Sequence, residues 1–272
     1  MIKTEEIHSI KTAIIKAGET ILQYQKNQNY QIKFKHPGDP VTTADNEAND
    51  IIIEAIGKIF PDHVIVSEEN YHEHNRESID NLRKNSNQIW FIDPLDGTKD
   101  FIKGLPYFAV SVGFFHNGIP EIGFIYNPAK KFFLHGGASY GIFQNDHKIT
   151  RKTNVASKLE DLRICISTSE IKQNLFPQLL KALPEDNIEF ISSVAYKLGL
   201  VAAGEFDLIL SKREKSDWDI AAGIALLQNQ DVEILDQYFN PVVLNKESIL
   251  TDGLIVGKKS AIALYQDFLN HI

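Results

Sequence analysis

The sequence predicts a mixed α/β protein made of two packed lobes, and three observations carry that expectation. Near the N-terminus apolar residues recur at helical spacing. Between Tyr107 and Asn145 short apolar runs alternate with turn residues, and beyond about residue 149 strand-like and helix-like segments alternate. At 272 residues and 43% hydrophobic composition the chain can bury one large core or two fused domains. The division is placed as an N-terminal α+β lobe over 1–149 and a C-terminal α/β lobe over 150–272.

In the first segment Ile7, Ile10, Ile14, Ala17 and Ile21 interleave with charges, which predicts an amphipathic helix and lacks the unbroken apolar core of a signal peptide. A second helix is expected to start near Asp45, where Ala48, Ile51, Ile52, Ala55, Ile56 and Ile59 repeat with the same period. HVIVSEE (63–69) reads as a strand ending in two glutamates, and IWFID (89–93) as a strand ending in Asp93. YFAVSVGFF, then His116-Asn117-Gly118, then EIGFIYN predicts a β-hairpin, because Asn-Gly suits the primed turns whose twist matches the strands. KKFFLHGG and GIFQN continue the meander. In the second half LRICIS (162–167), VAYKLGLVAAG (194–204), FDLIL (206–210) and WDIAAGIALLQNQ (218–230) alternate strand with helix, the pattern of a largely parallel sheet. No internal repeat, low-complexity tract or flexible linker interrupts the chain.

A net charge of -8 and a pI near 5.6 argue against a protein that wraps nucleic acid through a broad basic surface. The single cysteine, Cys165, excludes an intramolecular disulfide and a cysteine zinc cage, which fits a reducing compartment and places the protein in the cytoplasm. No stretch approaches the roughly 20 apolar residues that span a bilayer. The nine histidines form no HExxH motif, so zinc hydrolysis has no support. An anionic substrate would need a local remedy for the acidic field, and metal ions are one.

Acidic residues gather at the ends of the predicted elements: Asp45 in TTAD, Glu68 and Glu69 in SEE, Asp93 and Asp96 in DPLD, and Asp219 in DWD. Taken singly, Asp45 and Asp219 fit helix N-caps, and the two glutamates fit the solvated end of a strand. The run WFIDPLDGTKDF is different, because it sets Asp93, Asp96 and Asp100 around a proline and a glycine at the end of an apolar strand. Buried carboxylates must be paired, hydrogen-bonded or bound to metal. Rigid Pro94 lets Asp93 and Asp96 turn to one side of a tight bend and frees the carbonyl of Leu95. That is the oxygen donor set Mg²⁺ or Ca²⁺ prefers. Gly97 and Thr98 follow where a helix can begin, which offers N–H groups to a phosphate. These motifs carry few compensating cations of their own.

Asp93-Pro94-Leu95-Asp96-Gly97-Thr98 resembles the first signature of the lithium-sensitive, magnesium-dependent inositol monophosphatase superfamily, and Trp218-Asp219-Ile220-Ala221-Ala222-Gly223 resembles its second. Glu68-Glu69 and Thr43-Ala44-Asp45 stand in the matching order upstream. The resemblance implies a layered αβαβα sandwich, commonly a homodimer, and a phosphatase that uses two or three Mg²⁺ ions. It implies one Mg²⁺ on Glu68, Asp93 and the Leu95 carbonyl, a second on Asp93, Asp96 and Asp219, and a third leaning on Glu68. Asp45 and Thr98 would orient the attacking water, Glu68 would share in catalysis, and the amides of Gly97 and Thr98 would hold the phosphate. The implied partner is a small phosphorylated metabolite.

The choice of ester turns on a few positions. Lys99 gives DGTK, and Lys197 falls where the CysQ-like 3'(2'),5'-bisphosphate nucleotidases carry a lysine, although Ser193, Val194 and Ala195 replace their Gly-Ser-Ser. Lys212, in Lys212-Arg213-Glu214-Lys215, stands where inositol monophosphatases place a glutamate that binds ring hydroxyls. Lys99, Ser193, Lys197 and Lys212 are therefore the expected substrate contacts. A bisphosphorylated nucleotide is expected first, with adenosine 3',5'-bisphosphate cleaved to AMP and phosphate. Inositol 1-monophosphate ranks second, and a non-catalytic role in a transcription complex third. Trp90 and Trp218 are expected to be packing residues that stiffen the acid-bearing segments.

Overall fold

The computed structural model describes residues 2–73, 76–150 and 156–271. The expected lobe boundary at 149/150 lies beside residues 151–155, outside the described residues. Two helices, α1 (Thr4–Asn27) and α2 (Thr43–Ile59), bracket a ribbon of β1 (Ile32–His36) and β2 (Asp39–Thr42). The first sheet follows in the spatial order β3 (Val64–Ser67), β4 (Gln88–Asp96), β5 (Ala109–His116), β6 (Ile119–Asn127), β7 (Phe132–Gly137), β8 (Gly141–Gln144) and β9 (His147–Ile149). Helices α3 (Glu68–Glu73) and α4 (Arg76–Lys84) connect β3 to its parallel neighbour β4, and α5 (Thr98–Ile102) follows β4.

The second sheet has the order β11-β10-β12-β16-β14, built from β10 (Ile164–Ile166), β11 (Ile188–Phe190), β12 (Leu208–Ser211), β14 (Glu233–Leu235) and β16 (Leu254–Gly257). A short pair, β13 (Lys215–Ser216) with β15 (Leu250–Thr251), stands apart. The remaining helices are α6 (Thr168–Lys172), α7 (Pro177–Ala182), α8 (Val194–Ala203), α9 (Asp217–Leu227) and α10 (Lys259–Asn270).

Side-chain alternation along β4 shows how the layers form. Trp90 and Ile92 face the helices α1 and α2, where they join Ile10, Ile14, Ile21, Ile52 and Ile56. Ile89 and Phe91 face the opposite way, into a core shared with α8, α9 and one side of the second sheet. A third core, around Ile164, Leu208 and Ile255, packs that sheet against α7 and α10. The result is helix, sheet, helix, sheet, helix, the layered αβαβα sandwich. A strand buried on both faces reads as a continuous apolar run, which is what residues 89–92 present.

The two N-terminal helices and the hairpin follow their sequence signals. Asn117 and Gly118 have φ of 52° and 75°, the positive values a type I′ turn needs, and His116 pairs with Ile119 across them. Other expectations are corrected. Glu68 and Glu69 open α3 instead of ending β3. β4 continues through Pro94 to Asp96, with a register shift between Asp93 and Asp96, a bulge that tolerates a proline without an N–H. The second sheet is mixed, because β10 pairs parallel with β11 and β12 while β16 runs antiparallel to both β12 and β14.

The acid-bearing helix α9 lies directly on the first sheet because the residues between them are small. A Cβ added to Gly123 on β6 would stand 2.1 Å from the carbonyl oxygen of Ala222, and one on Gly113 of β5 would stand 2.8 Å from the amide of Ala222. Both are backbone atoms and cannot swing aside. Gly123→Ala is therefore expected to destabilise the fold by about 1–3 kcal/mol through overpacking. Urea unfolding would read this as a lower midpoint, and an unchanged midpoint would contradict the close contact.

Candidate active site

Three helix starts and one bulged strand bring the acidic residues together. Thr42 caps α2, and Asp45 at its third position reaches back to accept from the Thr42 amide at 2.7 Å and hydroxyl at 2.6 Å. Ser216 caps α9 in the same way, and Asp219 at the third position accepts from the Ser216 amide at 2.9 Å. Neither aspartate is itself an N-cap. Each closes a capping box, which holds its carboxylate beside the positive end of a helix. Glu68 begins α3. Asp93 accepts from the Leu95 amide at 2.9 Å across the bulge, which folds the DPLD turn onto its own carboxylate.

These groups meet in one cleft of about 900 Å³, lined by Glu68, Asp93, Leu95, Asp96, Thr98 and Asp219 among others. Asp45 is buried behind it. The Thr98 hydroxyl stands 2.9 Å from Asp45 Oδ1 and 3.0 Å from the Leu95 carbonyl, so its one proton is offered to either acceptor. Gly97 has φ of 100°, and a Cβ there would lie 2.7 Å from the carbonyl oxygen of Tyr107. Only glycine turns the chain there. Asp96 accepts from the Ser193 hydroxyl at 2.7 Å and the Ala195 amide at 2.6 Å, both at the start of α8. Asp100 lies apart, buried and 3.3 Å from Lys103.

Burial and mutual repulsion set the electrostatics. Burial, then the charges of Glu68, Asp96 and Asp219, hold Asp93 well above the usual carboxylate range. Asp219 is raised likewise by burial, Asp96 and Glu68. Burial pushes Asp45 and Asp96 each up to about 6, against the hydrogen bonds they accept, and burial with Glu68 pushes Glu69 up to about 8.

Sequence reasoning missed the counter-charge. Lys35, on β1, places its ammonium 2.8 Å from Glu68 Oε1 and 2.7 Å from Glu69 Oε1. Burial alone would lower that lysine, but the two glutamates overcome it and raise its pKa. Among the described residues no three acidic, imidazole or thiolate side chains already form a metal cage. Glu68 is turned to Lys35, and Asp96 to Ser193 and Ala195. The donor chemistry nevertheless suits a hard divalent cation: only oxygen donors, from crowded carboxylates that a positive charge would relieve.

The expected substrate contacts divide. Lys99 is exposed and lines the cleft. Ser193 is buried and holds Asp96. Lys197 is fully buried on α8, with its ammonium 2.8 Å from Ser167 Oγ, and does not line the cleft. Lys212 lines the cleft, but its ammonium donates to the Leu175 carbonyl at 2.8 Å and sits 4.9 Å from the Phe176 ring centre. Arg213 and Lys215, expected with Lys212 to form a basic cluster facing the far part of the substrate, also line the cleft, as do Lys103 and Lys172, which sequence reasoning did not single out. Trp90 and Trp218 are both packed in the cores.

This chain belongs to the inositol monophosphatase family, whose sequence profile matches residues 3–268. It is 29% identical to an inositol-1-monophosphatase of Mesorhizobium japonicum over 262 residues, covering 94% of each chain. It is 28% identical to the 3'(2'),5'-bisphosphate nucleotidase CysQ of Haemophilus influenzae, covering 90% of each. The crystal structure of the extragenic suppressor protein suhB from Bartonella henselae superposes with a TM-score of 0.78 at 25% identity, over 96% of each chain.

The raised carboxylates make stability depend on pH in a stated direction. Their native pKa values exceed the ordinary ones, so the folded chain binds more protons than the unfolded chain, and stability falls as pH rises through the native values. His63 and His135, both lowered by burial, act oppositely below about 6.5. Between pH 6.5 and 8, an interval that takes in the native values of Asp217, pushed by burial to about 7, and Glu69, about 8, with Lys197, lowered to about 8, opposing only toward its top, the Tm in EDTA is expected to fall. A Tm that held or rose across that interval would mean the acids are not crowded as described.

Proposed function

We propose that this protein is a Mg²⁺-dependent phosphomonoesterase that hydrolyses a small phosphorylated metabolite with an activated water. The observation that carries the reading is the convergence of Glu68, Asp93, Asp96 and Asp219 on one cleft beside the Asp45–Thr98 pair. Glu68, Asp93, Asp96, Asp219 and the Leu95 carbonyl would hold two or three Mg²⁺ ions. When bound, such ions lower the pKa of water and neutralise charge on the leaving oxygen. The chain's own residues do the positioning. Thr98, donating to Asp45, keeps a lone pair free to accept from the attacking water, which fixes that water's direction. Gly97, whose φ of 100° and close approach to the Tyr107 carbonyl admit only glycine, turns the chain so that a phosphate would meet the amides at the start of α5. Ser193 and Ala195 hold Asp96 in place.

The substrate we favour is a 3',5'-bisphosphorylated nucleotide, with adenosine 3',5'-bisphosphate as the test compound. Support comes from cations that line the cleft together with the acids: Lys99, Lys172 and Arg213, and Lys103, which also stands 3.3 Å from Asp100. A second anionic group would find partners there. Inositol 1-phosphate is the second reading, favoured by the similar level of identity to an inositol-1-monophosphatase. A role in binding alone is disfavoured, since the full set of acids and the Asp45–Thr98 pair are kept.

Phosphate release is expected to require Mg²⁺ and to vanish in excess EDTA. Asp93→Asn is expected to abolish turnover, and an unchanged kcat in that variant would reject the metal assignment. Thr98→Ala is expected to lower kcat by about tenfold to a hundredfold with little change in KM, because orienting the nucleophile matters in the transition state. Loss of substrate affinity alone would contradict the role of Thr98. A substrate panel decides the ester: adenosine 3',5'-bisphosphate should give a higher kcat/KM than inositol 1-phosphate, and the reverse order would return the chain to the inositol reading.

A further inference from the structure

The cations that line the cleft are not equivalent. Lys212 has its ammonium committed to the Leu175 carbonyl and the Phe176 ring. Lys215 donates to the carbonyls of Arg213 at 2.9 Å and Glu214 at 3.2 Å, and is itself buried. Lys172 is exposed on a flexible stem. Arg213 differs from all three. Its guanidinium is exposed and makes no hydrogen bond or ion pair among the described residues, yet its backbone is held on both sides.

The hold is made from inside the protein. Glu170, on α6, is fully buried, and its Oε1 accepts from the Arg213 amide at 3.1 Å, the Lys212 amide at 2.7 Å and the Ser211 hydroxyl at 2.9 Å. The Arg213 carbonyl accepts from Lys215, so the peptide units on either side of Arg213 are clamped by a buried acid and a buried base. Glu170 Oε2 has no hydrogen-bond partner among the described residues, and Lys197 and Lys215 balance its charge. A buried carboxylate between two lysines is costly to desolvate. Here its bonds are spent on fixing a surface loop that lines the cleft with Lys212, Arg213, Glu214 and Lys215, and the cation among them whose head group is unengaged is Arg213. Preorganising a recognising group in this way lowers the cost of ordering it on binding. Arginine's planar fork matches phosphate oxygens two at a time.

We propose that Arg213 is the specificity-determining residue for a second phosphate, or other dianionic group, on the substrate, and that buried Glu170 and Lys215 are the positioning residues that aim it. This rests on the phosphatase reading for the group at the acidic end and adds the identity of the group at the other end.

The test is a double-mutant cycle on adenosine 3',5'-bisphosphate, with KM and kcat read from phosphate release and affinity read separately by calorimetry in EDTA. Arg213→Ala is expected to raise KM and weaken binding at least tenfold with kcat changed less than threefold. Glu170→Ala should produce the same split, and the double variant should be no worse than the poorer single one by more than about twofold. Glu170→Gln, which keeps an acceptor for the two amides, should recover most of the loss. If Glu170→Ala does not fold, Glu170→Asp retracts the carboxylate by one methylene and is expected to show the same split. An Arg213→Ala variant with unchanged KM and affinity, or losses that multiply in the double variant, would overturn the proposal. So would an unaltered protein that shows neither turnover nor binding of the bisphosphate. Arg213-dependent binding without any phosphate release would remove the phosphatase reading and leave this one standing.

Discussion

Several carboxylates share one cleft, and they cannot all be charged there without positive charge close by. That constraint organises the site. The fold supplies part of the compensation through helix starts, with Asp45 and Asp219 in capping boxes of α2 and α9 and Glu68 at the head of α3. Lys35 supplies more, from a ribbon that belongs to neither sheet. What remains appears as carboxylates held above their ordinary range, Asp93 and Asp219 among them. A site in that condition would be relieved by an oxygen-seeking cation, because a positive charge would offset the crowding of the carboxylates.

The layered architecture serves this arrangement. β4 ends in the bulge that carries Asp93 and Asp96, while α9 carries Asp219 from a different part of the chain, so their geometry depends on how α9 sits on the sheet. Gly113, Gly123, Ala221 and Ala222 make that contact backbone to backbone. Long side chains at the contact could repack and shift the helix. Small ones leave it almost no slack, which ties packing to the precision of the acids.

The parts of this design that were legible in the sequence were local. Helical spacing marked α1 and α2, the Asn-Gly pair marked the hairpin, and DPLDGT with WDIAAG marked the acidic cluster that the cleft gathers. The parts that were not legible depend on distant partners. Nothing in Lys33-Phe34-Lys35-His36 says that Lys35 will meet Glu68, because alternation along a ribbon gives a face and not a neighbour. Strand direction is equally silent: the apolar run Leu254–Val256 looks the same whether β16 runs with β12 or against it. Helix α4 was hidden because its sequence is mostly polar, and its one buried side chain, Arg83, finds its partners at residues 245–247. Lys197 misled for the opposite reason. A lysine beside a proposed site suggests a substrate contact, but α8 lies in the central layer and is buried on nearly every side, so its lysine became an internal charge.

That internal charge connects the two ends of the cleft. Lys197 lies close enough to both Asp96 and Glu170 for its charge to act on each. On one side Asp96 faces the acidic floor, and on the other Glu170 holds the loop that bears Arg213. A chain with a net charge of -8 would repel a polyanion from most of its surface. Inside the cleft both signs are present, because Glu68, Asp93, Asp96 and Asp219 share its lining with Lys99, Lys172, Lys212 and Arg213. Identity is nearly the same toward an inositol-1-monophosphatase and a bisphosphate nucleotidase, so a preference of this chain for one ester has to arise from the side chains that line the cleft and not from overall similarity.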